Sequence, residues 1–209
     1  RSVSRGLGDV YKRQKSFLQN MGIGGKLSMR PTGIVRRIDD LGRIVVPKEI
    51  RRVLRIREGD PLEIFTGKDG EVIIKKYSPL GELGTFAQQY VDSISQILGC
   101  PVCVTDRDQI IAVAGMPKKE LVGKSIHKDL EDVINDREAI IARRGDTKYV
   151  NITSDDTDYA GQVIQTIICE GDAIGAVIVL SKDDKMRFGE TEQKTAIIAA
   201  NFLGKQMEN

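Results

Sequence analysis

The chain has little of several residue types on which enzymes and secreted proteins commonly depend. It contains no tryptophan, one histidine and three cysteines in 209 residues. A single histidine argues against a multi-histidine metal enzyme and against histidine-based acid–base catalysis. Three cysteines do not form a disulfide framework in a chain of this length, so we expect a reducing, cytoplasmic location. No apolar run approaches 18 residues, and a transmembrane helix is therefore not expected.

Charge is distributed unevenly along the chain, although the net charge is only +2. Residues 1–78 carry 18 basic against nine acidic side chains, whereas residues 79–209 carry 14 against 21. Basic residues concentrated at one end indicate a polyanionic partner for that end. The overall composition, with 40% hydrophobic residues, is that of a globular protein.

Residues 1–28 differ from the remainder in pattern. They begin with Arg1 and show neither a hydrophobic period nor the apolar core of a signal peptide. We interpret them as a disordered or non-native leader, with Met29 as the native start. The alternative is that they form a basic arm that grips DNA.

Residues 29–78 have the pattern of a small β-rich domain. Two short β-branched runs, in residues 32–39 and 43–47, flank a turn at Asp39–Gly42, and KEIRRVLRI predicts a helix after Pro47. Two more strands, PLEIF and EVIIKKY, are separated by a hairpin signal at Asp69–Gly70. About fifty residues bury too little apolar surface to be stable alone, so we expect two copies to share one core.

The run LGRIVVPKEIRRVLRIREGD resembles the central motif of the AbrB family of DNA-binding domains. The resemblance implies a swapped-hairpin β-barrel dimer that binds double-stranded DNA through clustered arginines. It makes four arginines the principal contacts: Arg36, Arg43, Arg51 and Arg52. Three further basic residues are expected to add phosphate contacts: Arg37, Lys48 and Arg55. The chemistry agrees, because a guanidinium group is permanently charged and its planar fork matches phosphates and guanine edges.

Charge alone would instead favour a solvated helix face for these arginines. In that interpretation their partners are nearby acids: Asp39, Asp40, Glu49 and Glu58. Once the motif is considered, we interpret Asp39 and Asp40 as residues that orient the arginines or shape the turn.

Residues 79–209 predict a separate α/β domain. A helix over Gly84–Leu98 ends at Gly99, and the strands PVCVTD and QIIAVAG follow. A helix is predicted from roughly Lys128 to Arg143, then a strand in KYVNIT. Two long strands surround the hairpin signal Glu170–Gly171–Asp172, and a closing helix runs from Gly189 to Met207.

This order predicts a central antiparallel sheet covered by helices, as in GAF or PAS-like sensors. The long hairpin before the last helix favours GAF. The resemblance points the same way, because from about Met29 to the C-terminus the chain resembles sporulation regulators that join an AbrB-type domain to a GAF domain. GAF domains commonly dimerise by bundling their first and last helices, here Gly84–Leu98 and Thr191–Met207. The alternative is that both helices cover the sheet within one protomer. The predicted fold class is therefore α+β, with a swapped-hairpin DNA-binding domain joined to a GAF-like sensor.

Other residues with chemical potential are interpreted as structural. Cys100 and Cys103 form a C-x-x-C pair, but no second ligand pair accompanies it, and positions i and i+3 of a strand face opposite sides. We expect both thiols and that of Cys169 to be buried as small hydrophobes. His127 is predicted to be a surface or capping residue. A solvated loop is predicted for three acidic residues whose spacing matches no EF-hand loop: Asp155, Asp156 and Asp158.

These patterns predict a cytoplasmic, nucleoid-associated transcription regulator that is a dimer or tetramer. The resemblance implies activation and repression of forespore genes during sporulation. We expect no enzymatic activity, no metal and no resident cofactor; a small-molecule ligand of the sensor domain is left unidentified. One alternative is an antitoxin of the MazE type, or another transition-state repressor. A second is a metabolite-binding GAF protein without a DNA function, which would show no salt-dependent DNA affinity.

Overall fold

The computed structural model describes residues 32–67, 70–154 and 159–208. The chain divides into two compact units, residues 1–50 and residues 51–209. The predictions for the leader, for Asp69 and for the acidic loop at 155–158 lie outside the described residues.

In the first unit, residues 32–47 contain no strand within the described part of the chain, although the sequence predicts two. Their apolar side chains are largely exposed: Val35 is 84% exposed and Val45 is 71% exposed. A strand must obtain its hydrogen bonds from a neighbouring strand. Among the described residues, neither of these two runs is paired with a strand.

The first helix, α1, covers Lys48–Val53. It begins directly after Pro47, whose fixed φ and missing N–H suit a helix start. It ends earlier than predicted because Arg55 has a positive φ of 53°. The N–H of Ile56 then donates to the carbonyl of Arg51 at 2.8 Å, which closes the last turn.

The predicted hairpin follows in the second unit. Strands β1 (Leu62–Thr66) and β2 (Val72–Lys76) pair in antiparallel fashion, with Leu62 opposite Lys76. A single-turn helix, α2 (Pro79–Glu82), follows; the hydroxyl of Ser78 caps it by accepting from Gly81 N at 3.1 Å.

The remaining elements form a five-stranded antiparallel sheet with helices on both faces. They are α3 (Gly84–Leu98), β3 (Val102–Asp106), β4 (Ile110–Ala114), α4 (Lys118–Leu121), α5 (Lys128–Asn135), β5 (Ala139–Arg143), β6 (Gly161–Cys169), β7 (Asp172–Ser181) and α6 (Glu190–Gln206). The strand order is β4–β3–β7–β6–β5. The boundaries of α3 agree with the prediction, and Gly99 caps this helix at a φ of 66°.

Two hydrophobic cores lie on opposite faces of this sheet because successive strand residues alternate between faces. Under α3 and α6, Val91, Val179 and Leu203 are completely buried. Under α5, Leu130 and Ile178 are equally buried. Among the described residues, no helix combines the length and apolar character needed to cross a membrane.

The predicted helix over Lys128–Arg143 is wrong in its second half. Helix α5 ends at Asn135, and Arg137 adopts a φ of 58° while the N–H of Glu138 donates to the carbonyl of Val133. Residues 139–143 instead form the edge strand β5, in which Ile140 is buried and Ile141 is exposed. Pairing with β6 outweighs the helical propensity of this segment.

The predicted strand in KYVNIT is also wrong. Only Thr153 makes a bridge, to Ile126, and the segment has no longer ladder. The side-chain amide of buried Gln162 pairs with the backbone of Val150 instead. In the amide orientation that satisfies both groups, its nitrogen donates to the Val150 carbonyl at 3.0 Å and its oxygen accepts from the Val150 N–H at 2.7 Å. The sheet keeps the expected number of strands because β5 replaces the mispredicted one.

Candidate nucleic-acid interface and its junction with the sensor domain

All seven side chains predicted to contact DNA are exposed. Four belong to the first unit: Arg36, Arg37, Arg43 and Lys48. Three belong to the second: Arg51, Arg52 and Arg55. Each is therefore accessible to a phosphate or a base edge, as a DNA contact requires.

The turn between the two β-branched runs is closed by Asp39. Its backbone N–H donates to the carbonyl of Arg43 at 3.0 Å, and its own carbonyl accepts from Gly42 N at 3.0 Å. Its carboxylate accepts from Leu41 N and Arg43 N, and also from Arg43 Nε at 2.8 Å. Gly42 has a φ of 75°, a left-handed conformation that glycine adopts without strain. The expectation that Asp39 shapes this turn agrees with the geometry.

Arg55 lies differently from the other predicted contacts. Its guanidinium donates to the carbonyl of Ile126, just before α5, at 3.5 Å. Arg57, two residues further, forms an ion pair with Glu131 on α5. Two arginines therefore join the segment that follows α1 to α5 and to the residues just before it.

Lys76, the last residue of β2, links three segments at this junction. Its ammonium lies 3.0 Å from Asp60 Oδ2, 2.5 Å from Asp108 Oδ2 and 3.1 Å from the carbonyl of Arg55. The Asp60 side chain is only 3% exposed. Burial opposes its ionisation, but the Arg57 N–H and the Lys76 ammonium outweigh burial and hold the pKa of Asp60 below its usual value.

The turn between β3 and β4 forms the other side of this junction. Asp106 accepts from the hydroxyl of Ser78 at 2.7 Å and from the N–H groups of Asp108 and Gln109. Of the side chains that the structure describes, Thr105, Arg107 and Asp108 each bury one polar atom without a hydrogen-bond partner. Burying a polar atom without a partner carries a desolvation cost, so these three atoms reduce the stability of this part of the fold.

This junction was not predicted from the sequence. Arg57 and Glu131 are 74 residues apart, and Arg55 and Ile126 are 71 apart. No local pattern marks such pairs, and the basic residues after α1 resemble the predicted DNA contacts.

The α5 face of the sheet contains a small, partly open cavity of about 10 Å³, room for about one water molecule. Eight residues line it: Cys103, Ile110, Met116, Leu121, Ile152, Thr153, Tyr159 and Leu180. The hydroxyl of Tyr159 donates to the sulfur of Met116 at 2.9 Å. The pocket wall reaches the junction, because Thr153 bridges Ile126 and the N–H of His127 donates to the carbonyl of Ile152.

The cysteine and histidine predictions are mostly confirmed. Cys100 and Cys103 are buried and lie in the two different cores, so they cannot act as a pair. Burial raises the pKa of the Cys103 thiol to about 12. Cys169 is only half-buried, contrary to the predicted core position, because it ends β6 at the hairpin. His127 is the N-cap of α5, where its ring accepts from Asp129 N at 3.2 Å.

Helices α3 and α6 present apolar side chains to solvent. Ile97 is 82% exposed, Ile198 is 63% exposed and Phe202 is 38% exposed. The Phe202 ring packs against Tyr90 and Phe86, with centroids 5.1 Å and 5.8 Å apart.

Within the described ranges, no group of three or more potential metal-ligating side chains comes together.

Comparison of the N-terminal part and of the five-stranded part of the chain with known proteins defines the class of protein. The fold of the five-stranded sheet and its helices resembles the GAF domain of a phosphoenolpyruvate-protein phosphotransferase from Acinetobacter, with a TM-score of 0.53 and 11% identity, over 60% of this chain and 81% of that one. The N-terminal part is 55% identical over 51 residues to the transition state regulatory protein AbrB of Bacillus subtilis, which is 24% of this chain and 52% of that protein. Residues 35–81 also match the family described as antidote-toxin recognition MazE, bacterial antitoxin. The chain thus joins an AbrB-type domain to a GAF-like domain.

The particular family is defined by a match over most of the chain. Residues 82–208 match the family described as stage V sporulation protein T C-terminal, transcription factor. The chain is 52% identical over 181 residues to stage V sporulation protein T of Bacillus subtilis, covering 86% of this chain and 99% of that protein. The chain belongs to the stage V sporulation protein T family of transcription factors.

Proposed function

We propose that this protein is a sequence-specific DNA-binding regulator of forespore genes during sporulation, activating some and repressing others. The observation that carries the proposal is the set of seven exposed basic side chains between Arg36 and Arg55 in a chain of this family. Arginine forks at these positions suit both phosphate and guanine contacts. The protein would act in the cytoplasm at the nucleoid, without enzymatic activity or a resident cofactor.

The test is a fluorescence-anisotropy titration of the full chain with duplex DNA across a salt series. Arg43→Ala and Arg51→Ala should each weaken binding by about 1–3 kcal/mol. Lys119→Ala, which removes an exposed positive charge from α4, is the matched control and should leave affinity unchanged. Failure of the unmodified protein to bind DNA even at low salt would refute the proposal.

We propose further that the protein is a dimer through its N-terminal domain and a tetramer through α3 and α6. Exposed Val35 and Val45 support the first contact, and exposed Ile97 and Ile198 support the second. Exposed apolar patches of this kind mark interaction surfaces. Sedimentation equilibrium of the full chain tests this assembly, and a monomer at micromolar concentration would contradict it.

For the sensor domain we propose a small-molecule ligand on the α5 face of the sheet. The cavity there is too small for a metabolite, so binding must displace its wall, which includes Ile152 and Thr153. That wall is bonded to Ile126 and His127, and α5 carries Glu131, the partner of Arg57. A ligand that favours one arrangement of this junction would change DNA affinity by differential binding to two states.

Glu131→Gln tests the coupling without knowledge of the ligand. If the junction influences DNA binding, this change should alter DNA affinity although Glu131 is not a predicted DNA contact. Glu120→Gln, at an exposed position on α4, removes the same charge and is the control. Equal DNA affinities for the two variants would argue against coupling through the Arg57–Glu131 pair.

The match of residues 35–81 to the MazE family supports an antitoxin as a second candidate. An antitoxin of this kind requires a toxin partner encoded beside it. Co-expression with the adjacent gene products distinguishes the two candidates: an antitoxin should form a stable complex with one of them, whereas the regulator should form none.

A further inference from the structure

Asp39 contacts Arg43 at three separate points. The Asp39 N–H donates to the Arg43 carbonyl at 3.0 Å, Asp39 Oδ1 accepts from Arg43 N at 2.7 Å, and Asp39 Oδ2 accepts from Arg43 Nε at 2.8 Å. The backbone and the guanidinium of Arg43 are therefore both held by one carboxylate residue. An arginine side chain with four rotatable bonds otherwise loses substantial entropy when it is ordered.

The arrangement leaves the outer end of Arg43 accessible. Asp39 engages Nε, so the two terminal nitrogens remain as the pair that a guanidinium can direct at an external acceptor. The Arg43 side chain is 69% exposed, against 35% for Asp39. The hydrogen bonds from the backbone and side chain of Arg43 also lower the pKa of Asp39, so the carboxylate is charged at neutral pH.

We propose that Asp39 is a specificity-positioning residue, which holds the Arg43 guanidinium in the orientation needed to read a base edge. The inference rests on the proposed function, in which Arg43 contacts DNA. Readout of guanine O6 and N7 requires a fixed fork, whereas a phosphate contact carries no sequence information and tolerates a mobile side chain. A carboxylate facing DNA repels phosphate, so Asp39 favours binding only if the ordering of Arg43 outweighs that repulsion.

Two explanations of Asp39 predict opposite signs. If Asp39 were only a surface acid near DNA, removing its charge would tighten binding to every duplex, because phosphate repulsion would fall. If it positions Arg43, removing its charge would weaken binding to the preferred sequence while leaving other sequences unchanged or bound more tightly.

The experiment compares Asp39→Asn with Asp40→Asn in the full chain. Both variants lose one negative charge, at adjacent exposed positions. Asparagine retains a side-chain oxygen that can accept from the Leu41 and Arg43 amides, so the turn can persist while the charged contact to Nε is lost. Circular dichroism and thermal unfolding of both variants establish that the fold is retained.

The probes are a duplex enriched from a random pool by the unmodified protein and a scrambled duplex of equal base composition. Asp39→Asn should bind the enriched duplex about tenfold more weakly, with its affinity for the scrambled duplex unchanged or higher. Asp40→Asn should match or exceed the unmodified protein on both duplexes. Asp39→Asn behaving like Asp40→Asn would overturn the positioning role while leaving the proposed function intact.

A double-mutant cycle separates a positioning role from a merely structural one. In an Arg43→Ala background, Asp39→Asn should cause no further loss, because its effect passes through Arg43. Additive losses would overturn the inference, since Asp39 would then act independently of Arg43. Failure of the pool to enrich any sequence would refute the proposed function itself, and this inference with it.

Discussion

Gly204 is a point of close approach between α6 and β6, and we predict that Gly204→Ala destabilises the sensor domain. A Cβ atom at this buried position would collide with the carbonyl oxygen of Ile168 and lie 3.2 Å from its carbonyl carbon. That carbonyl belongs to β6, which is paired with β7. The obstacle is a strand backbone, which cannot move aside like the end of a flexible side chain.

Two effects of opposite sign determine the magnitude. Replacing a glycine inside a helix by alanine stabilises the helix by up to about 1 kcal/mol, and the gain is smaller here because Gly204 lies in the last turn of α6. Overpacking a well-filled contact costs about 1–3 kcal/mol, and more where backbone must shift. The collision should win because the obstacle is backbone, with a net loss of about 1–2 kcal/mol. For a chain of this size the loss corresponds to a fall of roughly 2–8 °C in the unfolding midpoint.

Thermal unfolding followed by circular dichroism measures this effect, and Gly84→Ala is the control. Gly84 lies in α3, where an added Cβ would meet only the side chain of Ile111 at 3.9 Å, an ordinary contact. That variant should be equally or slightly more stable than the unmodified protein. If Gly204→Ala were also stabilised, helix propensity would dominate and the tight packing of α6 on β6 would be refuted.

Three further predictions concern single side chains. Because the pKa of Asp60 is lowered in the folded protein, its ionisation adds to the free energy of unfolding above pH 3.8, the ordinary pKa of the group, and this contribution is lost as the pH falls through the lower folded-state pKa. Asp60→Asn should therefore flatten the acid side of the stability–pH curve. An unchanged acid side would contradict the lowered pKa. Cys103, with a pKa of about 12, should not react with a disulfide reagent at pH 8 in the native protein and should react in guanidinium; rapid native labelling would show that the core opens readily. Ile198→Glu should reduce the mass found by sedimentation, and an unaltered mass would exclude this face of α6 as a subunit contact.

Local sequence signals predicted most of the sensor domain because their physical causes lie within a few residues. Gly99 stops α3 at the predicted position since glycine accepts a left-handed cap. The hairpin at Glu170–Gly171 was equally predictable, because Gly171 accepts the positive φ that the turn requires and apolar runs flank it. The capping role of His127 follows from its place before an amphipathic helix.

The errors occurred where distant groups decide the conformation. Residues 139–143 have a helical composition, but the free edge of β6 offers them a ladder. The segment around Val150 has a strand composition, but its backbone is satisfied by the side chain of Gln162. In both cases the competing hydrogen-bond partner lies outside any window that a periodicity argument uses.

The same division holds for function. The Gly–Arg, Pro and Arg-rich helix pattern in residues 42–55 was enough to indicate a DNA-binding domain and its candidate contacts, because motif, charge and spacing are properties of consecutive residues. Only the tertiary structure decided that Arg57 pairs with Glu131 and that Lys76 joins Asp60 to Asp108. These contacts depend on how the folded hairpin and sheet bring distant charges together, and no local property of the sequence encodes that distance.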